Sequence, residues 1–168
     1  MNNKKYIMTS LYEYLNESYR IVTKPEFEDV LLDLSTLDLE DDQVRYPKNY
    51  NYETHLFGGK NYDLYILERE ELPISGSFEI LIEDGDEIIG FIRGNKNKEI
   101  ISFNLIHIKE EYRGKGIGTD IYEKFLNDGF IIKSDSEITD STYSLYTRLL
   151  IYGYTPIIFN DGRVGLKK

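Results

Sequence analysis

Apolar side chains recur along this chain with two different periods, and the change between them falls near residue 60. Over residues 9–20 they stand at Leu11, Tyr12, Leu15 and Tyr19, a helical spacing that Thr9 or Ser10 can cap. A second helix is predicted from Pro25, a residue suited to a first turn. Its apolar face is Phe27, Val30, Leu31 and Leu34, and Glu26, Glu28 and Asp29 sit at its positive end. Residues 38–42 are strongly acidic, and residues 46–59, rich in Asn, Tyr and Gly, read as a loop. From residue 61 an alternation of period two takes over and predicts strands over 62–68, 77–83 and 87–93. The second and third are joined by a tight turn at Asp84, Gly85 and Asp86, and residues 94–98 read as another turn. The fourth strand, 99–108, is apolar through most of its length, as a central strand buried on both faces would be.

A helix follows over 119–127, with Ile117, Ile121, Tyr122 and Phe125 to one side and Gly129 as its stop. Then come a short strand at 130–133 and a helix capped by Thr139, which carries Tyr143, Tyr146, Leu149 and Leu150 to about Tyr152. A hairpin of 155–159 and 163–166 closes the chain. The expected fold class is α+β, a mixed and mostly antiparallel sheet flanked by helices in the order α-α-β-β-β-β-α-β-α-β-β. One domain over 1–168 is expected, with 1–60 a helical N-terminal part and loop and 61–168 the sheet. There are no internal repeats.

Composition narrows what such a domain can do. Thirty acidic against 20 basic side chains give a formal charge of -10, which repels nucleic acid and anionic lipid and favours cationic partners. No cysteine is present and only two histidines, His55 and His107, so neither a thiolate nor a histidine-rich metal centre is expected. No apolar run approaches the roughly 20 residues that span a bilayer, and the first residues lack the apolar core of a secretory signal. A cytoplasmic setting is the expectation. The acidic block at 38–42 reads either as a solvated turn or as a docking surface for a basic partner.

Against that acidic background, residues 113–118 (Arg-Gly-Lys-Gly-Ile-Gly) bring two cations and three glycines between a strand and a helix start. Such a junction suits an anion: glycine lets backbone approach closely, and a helix N-terminus offers unpaired N–H groups and a partial positive charge. A P-loop needs GxxxxGK[ST], and no glycine stands at the required distance before a Gly-Lys pair. A dinucleotide fingerprint needs GxGxxG; counted from Gly114 it ends on Thr119, and counted from Gly116 it ends on Ile121. What is left is R-x-x-G-x-G.

The segment 105–119, Leu-Ile-His-Ile-Lys-Glu-Glu-Tyr-Arg-Gly-Lys-Gly-Ile-Gly-Thr, closely resembles the acyl-CoA-binding motif of the GNAT superfamily of N-acyltransferases: an apolar strand, a short acidic bend, then (Q/R)xxGx(G/A) leading into a helix. More weakly, the element order of the whole chain is similar to that family's three-layer fold. The resemblance implies that acetyl-CoA is the acyl donor. Its pyrophosphate would lie on Arg113, Gly114, Lys115, Gly116, Ile117, Gly118 and Thr119, and its pantetheine arm against the backbone of Ile106 and Ile108. It further implies that a tyrosine on the late helix protonates the departing thiolate. Ser144, Leu145 and Tyr146 match the end of the family's NxxAxxLY pattern, but Thr139 stands in place of its asparagine and Thr142 in place of its alanine. Tyr146 reads equally as a core aromatic in step with Tyr143 and Leu149.

Amine acylation also needs a base. Glu99, near the start of the fourth predicted strand, and His107, beside the pantetheine stretch, are the candidates; His107 reads equally as a core histidine. Glu68, Glu79 and Glu83 are further strand carboxylates, and the sequence does not choose among them. Without cysteine, direct attack in a ternary complex is favoured over a thiol acyl intermediate. The expected acceptor is cationic: a protein lysine, a polyamine or another small amine. The alternative function is a GNAT-fold binding protein, such as a phage-encoded one, that docks its acidic face on a basic partner. A tRNA-acylating role is disfavoured by the surface charge.

Overall fold

A computed structural model describes residues 18–38 and 44–168. A nine-stranded sheet runs through it in the order β1-β8-β9-β7-β6-β5-β4-β3-β2. In chain order its elements are β1 (Tyr19–Ile21), α1 (Lys24–Leu34), β2 (Glu53–Gly59), β3 (Tyr62–Leu67), β4 (Ser75–Asp84), β5 (Glu87–Asn97) and β6 (Ile100–Ile108). A single 3-10 turn (Glu110–Tyr112) leads to α2 (Ile117–Asn127), β7 (Ile131–Lys133), α3 (Asp140–Ile151), β8 (Thr155–Phe159) and β9 (Val164–Lys167). The sheet is mixed: every pair is antiparallel except β6 with β7. No helix among the described residues is long and apolar enough to cross a membrane.

Strand alternation sorts the core. Ile80 and Ile82 join the largest apolar cluster, which draws on all three helices through Phe27 and Leu31, Ile121 and Phe125, and Tyr146 and Leu149. Leu81, between those two isoleucines, joins Leu67 and Phe91 in a separate cluster under Val44, Tyr46 and Tyr50. A third cluster sets Ile100, Ile131, Ile157 and Phe159 against Tyr19.

Three expectations about elements are corrected. Most of the helix expected over 9–20 lies outside the described residues, but its last members, Tyr19 and Arg20, belong to β1, which pairs antiparallel with β8. Tyr19 sets its ring edge-on to Phe159 at 5.5 Å, a contact that a local pattern cannot show. Residues 53–59, read as loop, form β2 and close a hairpin with β3, and a bulge between His55 and Phe57 breaks the simple alternation. Residues 94–97, read as turn, continue β5: Gly94 pairs with Phe103, and a Cβ there would come within 2.5 Å of the Phe78 ring and 2.7 Å of the Ser102 carbonyl. This glycine serves close packing rather than chain reversal. Of the acidic block, Asp38 is described and exposed, and 39–42 lie outside the described residues. The N-terminal part is therefore not only helix and loop, since it supplies both edge strands, β1 and β2.

The feature that makes a site is the parting of β6 and β7. They pair only over Ile100–Ser102 and Ile131–Lys133. Beyond Ser102, β6 runs on to Ile108 with β5 on one side and no strand on the other. β7 instead ends at Lys133 and turns away toward α3.

Candidate active site

A cleft of about 700 Å³ fills the gap between the parted strands. Its floor is the open half of β6, Phe103 to Ile108. One wall is the 113–119 junction. The other is the segment after β7 together with the Leu145, Tyr146 and Arg148 side of α3, and Ser35 to Asp38, following α1, complete it. The central apolar strand of the sequence reading is β6, the middle strand of the nine, buried in its first half and only partly covered where it borders the cleft.

Local chemistry builds the junction. Gly114 (φ 72°) and Gly116 (φ 82°) occupy left-handed backbone that other residues rarely adopt, and space beside each is open. Gly116 is the N-cap of α2 and brings no side chain to it, so the first N–H groups of the helix have no side-chain cap. The Nε of Arg113 donates to the carbonyl of Ile108 at 2.7 Å, which fixes the guanidinium at the end of β6 on the rim of the cleft. Lys115 is placed differently. Its ammonium lies over the Tyr112 ring, 5.0 Å from the centroid, and its side chain does not line the cleft. The 3-10 turn is tied down by Glu87, which accepts from Tyr112 Oη at 2.9 Å and Lys109 Nζ at 3.2 Å. Those two hydrogen bonds hold the Glu87 carboxyl below its usual range.

Of the other expected residues, Ile106, Ile108, Gly114, Gly116, Ile117, Gly118 and Thr119 all border the cleft. Tyr146 borders it too, and it is 1 % exposed. Its ring packs against Tyr122 and Phe27, and its buried hydroxyl has no hydrogen-bond partner among the described residues. Burial first, then Tyr122 and the charge of Asp135, push this phenol well above its ordinary value. It is thus a core aromatic by its ring and a cleft group by its hydroxyl. His107 borders the cleft but sets its ring among Tyr46 (5.5 Å) and Phe91 (5.9 Å), with the cluster opposite the helices. Glu99 is exposed before the start of β6, nine residues from Ile108 and roughly 30 Å away along an extended strand, and does not line the cleft.

Sequence reasoning missed several cleft residues. Arg148, on α3, donates to Thr119 Oγ1 at 3.2 Å and adds a second guanidinium beside the junction. Asp38, Asp135, Glu137 and Asp140 also border the cleft. The only local hint of the last three was a run of acids between a short buried strand and a helix cap. Among the described residues no group of three or more His, Cys, Asp or Glu is placed to hold a metal ion.

An uncapped helix start, an open strand edge leading to it and a buried phenol thus border one cleft. The model of the acetyltransferase (GNAT) family matches residues 8–130, and the chain belongs to this family. It is accordingly an acyl-CoA N-acyltransferase in kind. No curated protein sequence matches the chain significantly. Among solved structures it is similar to an acetyltransferase from Thermus thermophilus (16% identity, TM-score 0.39), with 54% of this chain and 62% of that one covered. A GNAT-family protein of Bacteroides thetaiotaomicron gives 15% identity and a TM-score of 0.37, with 83% and 72% covered. A Bacillus anthracis str. Ames protein described as a streptothricin acetyltransferase, in complex with acetyl coenzyme A, gives 13% and 0.32, with 89% and 93% covered.

Proposed function

We propose that the protein moves an acetyl group from acetyl-CoA to a primary amine by direct attack in a ternary complex. The observation that carries this reading is the open edge of β6 running into the uncapped start of α2. The edge backbone of Ile106 and Ile108, where the Ile108 carbonyl already accepts from Arg113 Nε, suits the amide-bearing pantetheine arm, which can pair along it as an added strand would. The amides of 114–119, with Arg113 and Arg148 at hand, suit the pyrophosphate. Lys115 serves this end through the local field rather than by lining the cleft. The cleft's volume and its mixture of apolar floor and polar walls fit a pantetheine-sized ligand.

Tyr146 is the acid in this scheme. Its hydroxyl, buried without a partner among the described residues, borders the cleft and has a proton to give the departing thiolate. With no cysteine in the chain, no thiol acyl-enzyme forms. Of the two base candidates named from sequence, Glu99 does not line the cleft, and His107 borders it with its ring set against Tyr46 and Phe91.

Calorimetric titration with acetyl-CoA tests the donor half. One site per chain is expected, weakened about 10- to 100-fold by Arg113→Glu, the range of a lost charge-assisted hydrogen bond. Absence of binding by the native chain sinks the reading. Binding with no thiol release across an amine panel favours a docking protein instead.

A further inference from the structure

Asp120 stands in the first turn of α2, and its N–H closes that turn on the carbonyl of Gly116 at 2.9 Å. A carboxylate at a helix start is favoured by the helix dipole. Here the same helix start is the one offered to the donor's pyrophosphate. Carboxylate and ligand therefore draw on one partial positive charge and repel each other. No cationic side chain among the described residues is paired with Asp120. Lys124, which the i,i+4 spacing would offer, lies instead over the Phe57 ring, 5.7 Å from its centroid.

What Asp120 has is Tyr62. The Tyr62 hydroxyl, at the start of β3, donates to Asp120 Oδ2. Tyr62 is 3 % exposed, and its ring belongs to the main core. Burial first, then the hydrogen bond to Asp120 and the charge of that residue, push the phenol far above its ordinary value, so it stays a donor. The β2–β3 hairpin is shaped to admit the ring. Gly59 pairs with Tyr62, and a Cβ on Gly59 would come within 1.9 Å of the ring and 2.4 Å of the hydroxyl oxygen. The same hairpin grips α2 again further along, where Phe57 meets Phe125 edge-on at 5.3 Å. Neither Tyr62 nor Asp120 lines the cleft.

We propose, resting on the assignment of the pyrophosphate to 113–119, that Tyr62 is a positioning residue for the donor site. Its hydroxyl holds the Asp120 carboxylate against the β2–β3 hairpin and off the phosphate-binding start of α2, and the charge held there sets an upper limit on donor affinity. Two residues outside the cleft thus govern how tightly the cleft binds. The hydrogen bond keeps the first turn in place, and the carboxylate opposes the anion that the turn receives.

Titration calorimetry with acetyl-CoA on the native chain, Asp120→Asn, Tyr62→Phe and the double variant tests this, at about 0.1 M and about 0.5 M salt. Asp120→Asn keeps an acceptor for Tyr62 and removes the charge. It is expected to tighten binding about 2- to 5-fold, the range of a first-turn charge. Tyr62→Phe frees the carboxylate and is expected to weaken binding by a similar factor at the lower salt, with the loss shrinking at the higher. In the Asp120→Asn background the same Tyr62→Phe change is expected to leave affinity unaltered, although Tm falls in both backgrounds. A tyrosine that only props the hairpin would cost equal affinity in both backgrounds and at both salts, and that result overturns the proposal. Unchanged binding by Asp120→Asn overturns it too. A native chain that binds acetyl-CoA while all three variants match it sinks the Tyr62–Asp120 assignment alone. A native chain that binds none overturns the donor reading itself and this assignment with it.

Discussion

Burying a hydroxyl without a partner costs roughly 1–3 kcal/mol, and Tyr146 carries that cost in the middle of a well-packed helix face. The ring has its own reason to be there, since it contacts Phe27 and Tyr122 inside the main core. The hydroxyl has no such reason unless something enters the cleft. Removing it should therefore separate stability from activity. Tyr146→Phe keeps the ring and is expected to stabilise the fold by about 1 kcal/mol, raising Tm, while kcat for thiol release falls about 10²-fold. Thermal unfolding and steady-state kinetics on the same preparation check both signs. A variant that is less stable and fully active would return Tyr146 to the role of a plain core residue.

At the scale of elements, α3 places Tyr146 and Arg148 together on the cleft, and the start of that helix is set by one cap. Thr139 Oγ1 accepts from the N–H of Thr142 at 3.2 Å. Thr139→Ala is expected to cost about 1 kcal/mol, a fall in Tm of about 3 °C for a domain of this size, and Thr139→Ser to restore most of it. The threonine that departs from the family's asparagine thus has a local purpose that the sequence disclosed. The glycine junction was legible for the same reason, because strand, turn and helix start are neighbours in the chain. What was hidden depends on partners far away in sequence. Tyr19 is a strand residue because Phe159 is opposite it. Residues 53–59 are a strand because β3 returns alongside them, despite turn-like composition. Gly94 looked like a turn because the pressure on it comes from Phe78 and Ser102. The acidic residues lining the cleft come from two segments, Asp38 after α1 and the run 135–140 after β7, and only the fold brings the first to the second.

Across the whole molecule the excess of acid has a second focus, away from the cleft. Glu83 on β4 is partly buried, and its carboxyl is pushed up by that burial first, then by Glu53, with Asp86 and Asp63 adding to it. The neighbouring phenol of Tyr50 is raised by burial and by the same two glutamates. The linkage follows from the direction of the shift. Between the ordinary glutamate value of about 4.3 and the higher folded value, the folded chain holds a proton that the unfolded chain has lost. Stability therefore falls as pH rises through that window, and at neutral pH the ionised Glu83 weighs against folding. Glu83→Gln removes the charge and keeps the shape, so it is expected to raise Tm at pH 7. The gain should vanish at pH 3.5, below both values, where the carboxyl is neutral in either state. It should also shrink in 0.5 M salt to the extent that the repulsion from Glu53, Asp86 and Asp63 is screened, leaving the part due to burial. Thermal unfolding of both chains at the two pH values and two salt concentrations decides it; a gain that persisted at pH 3.5 would assign the effect to packing rather than to charge.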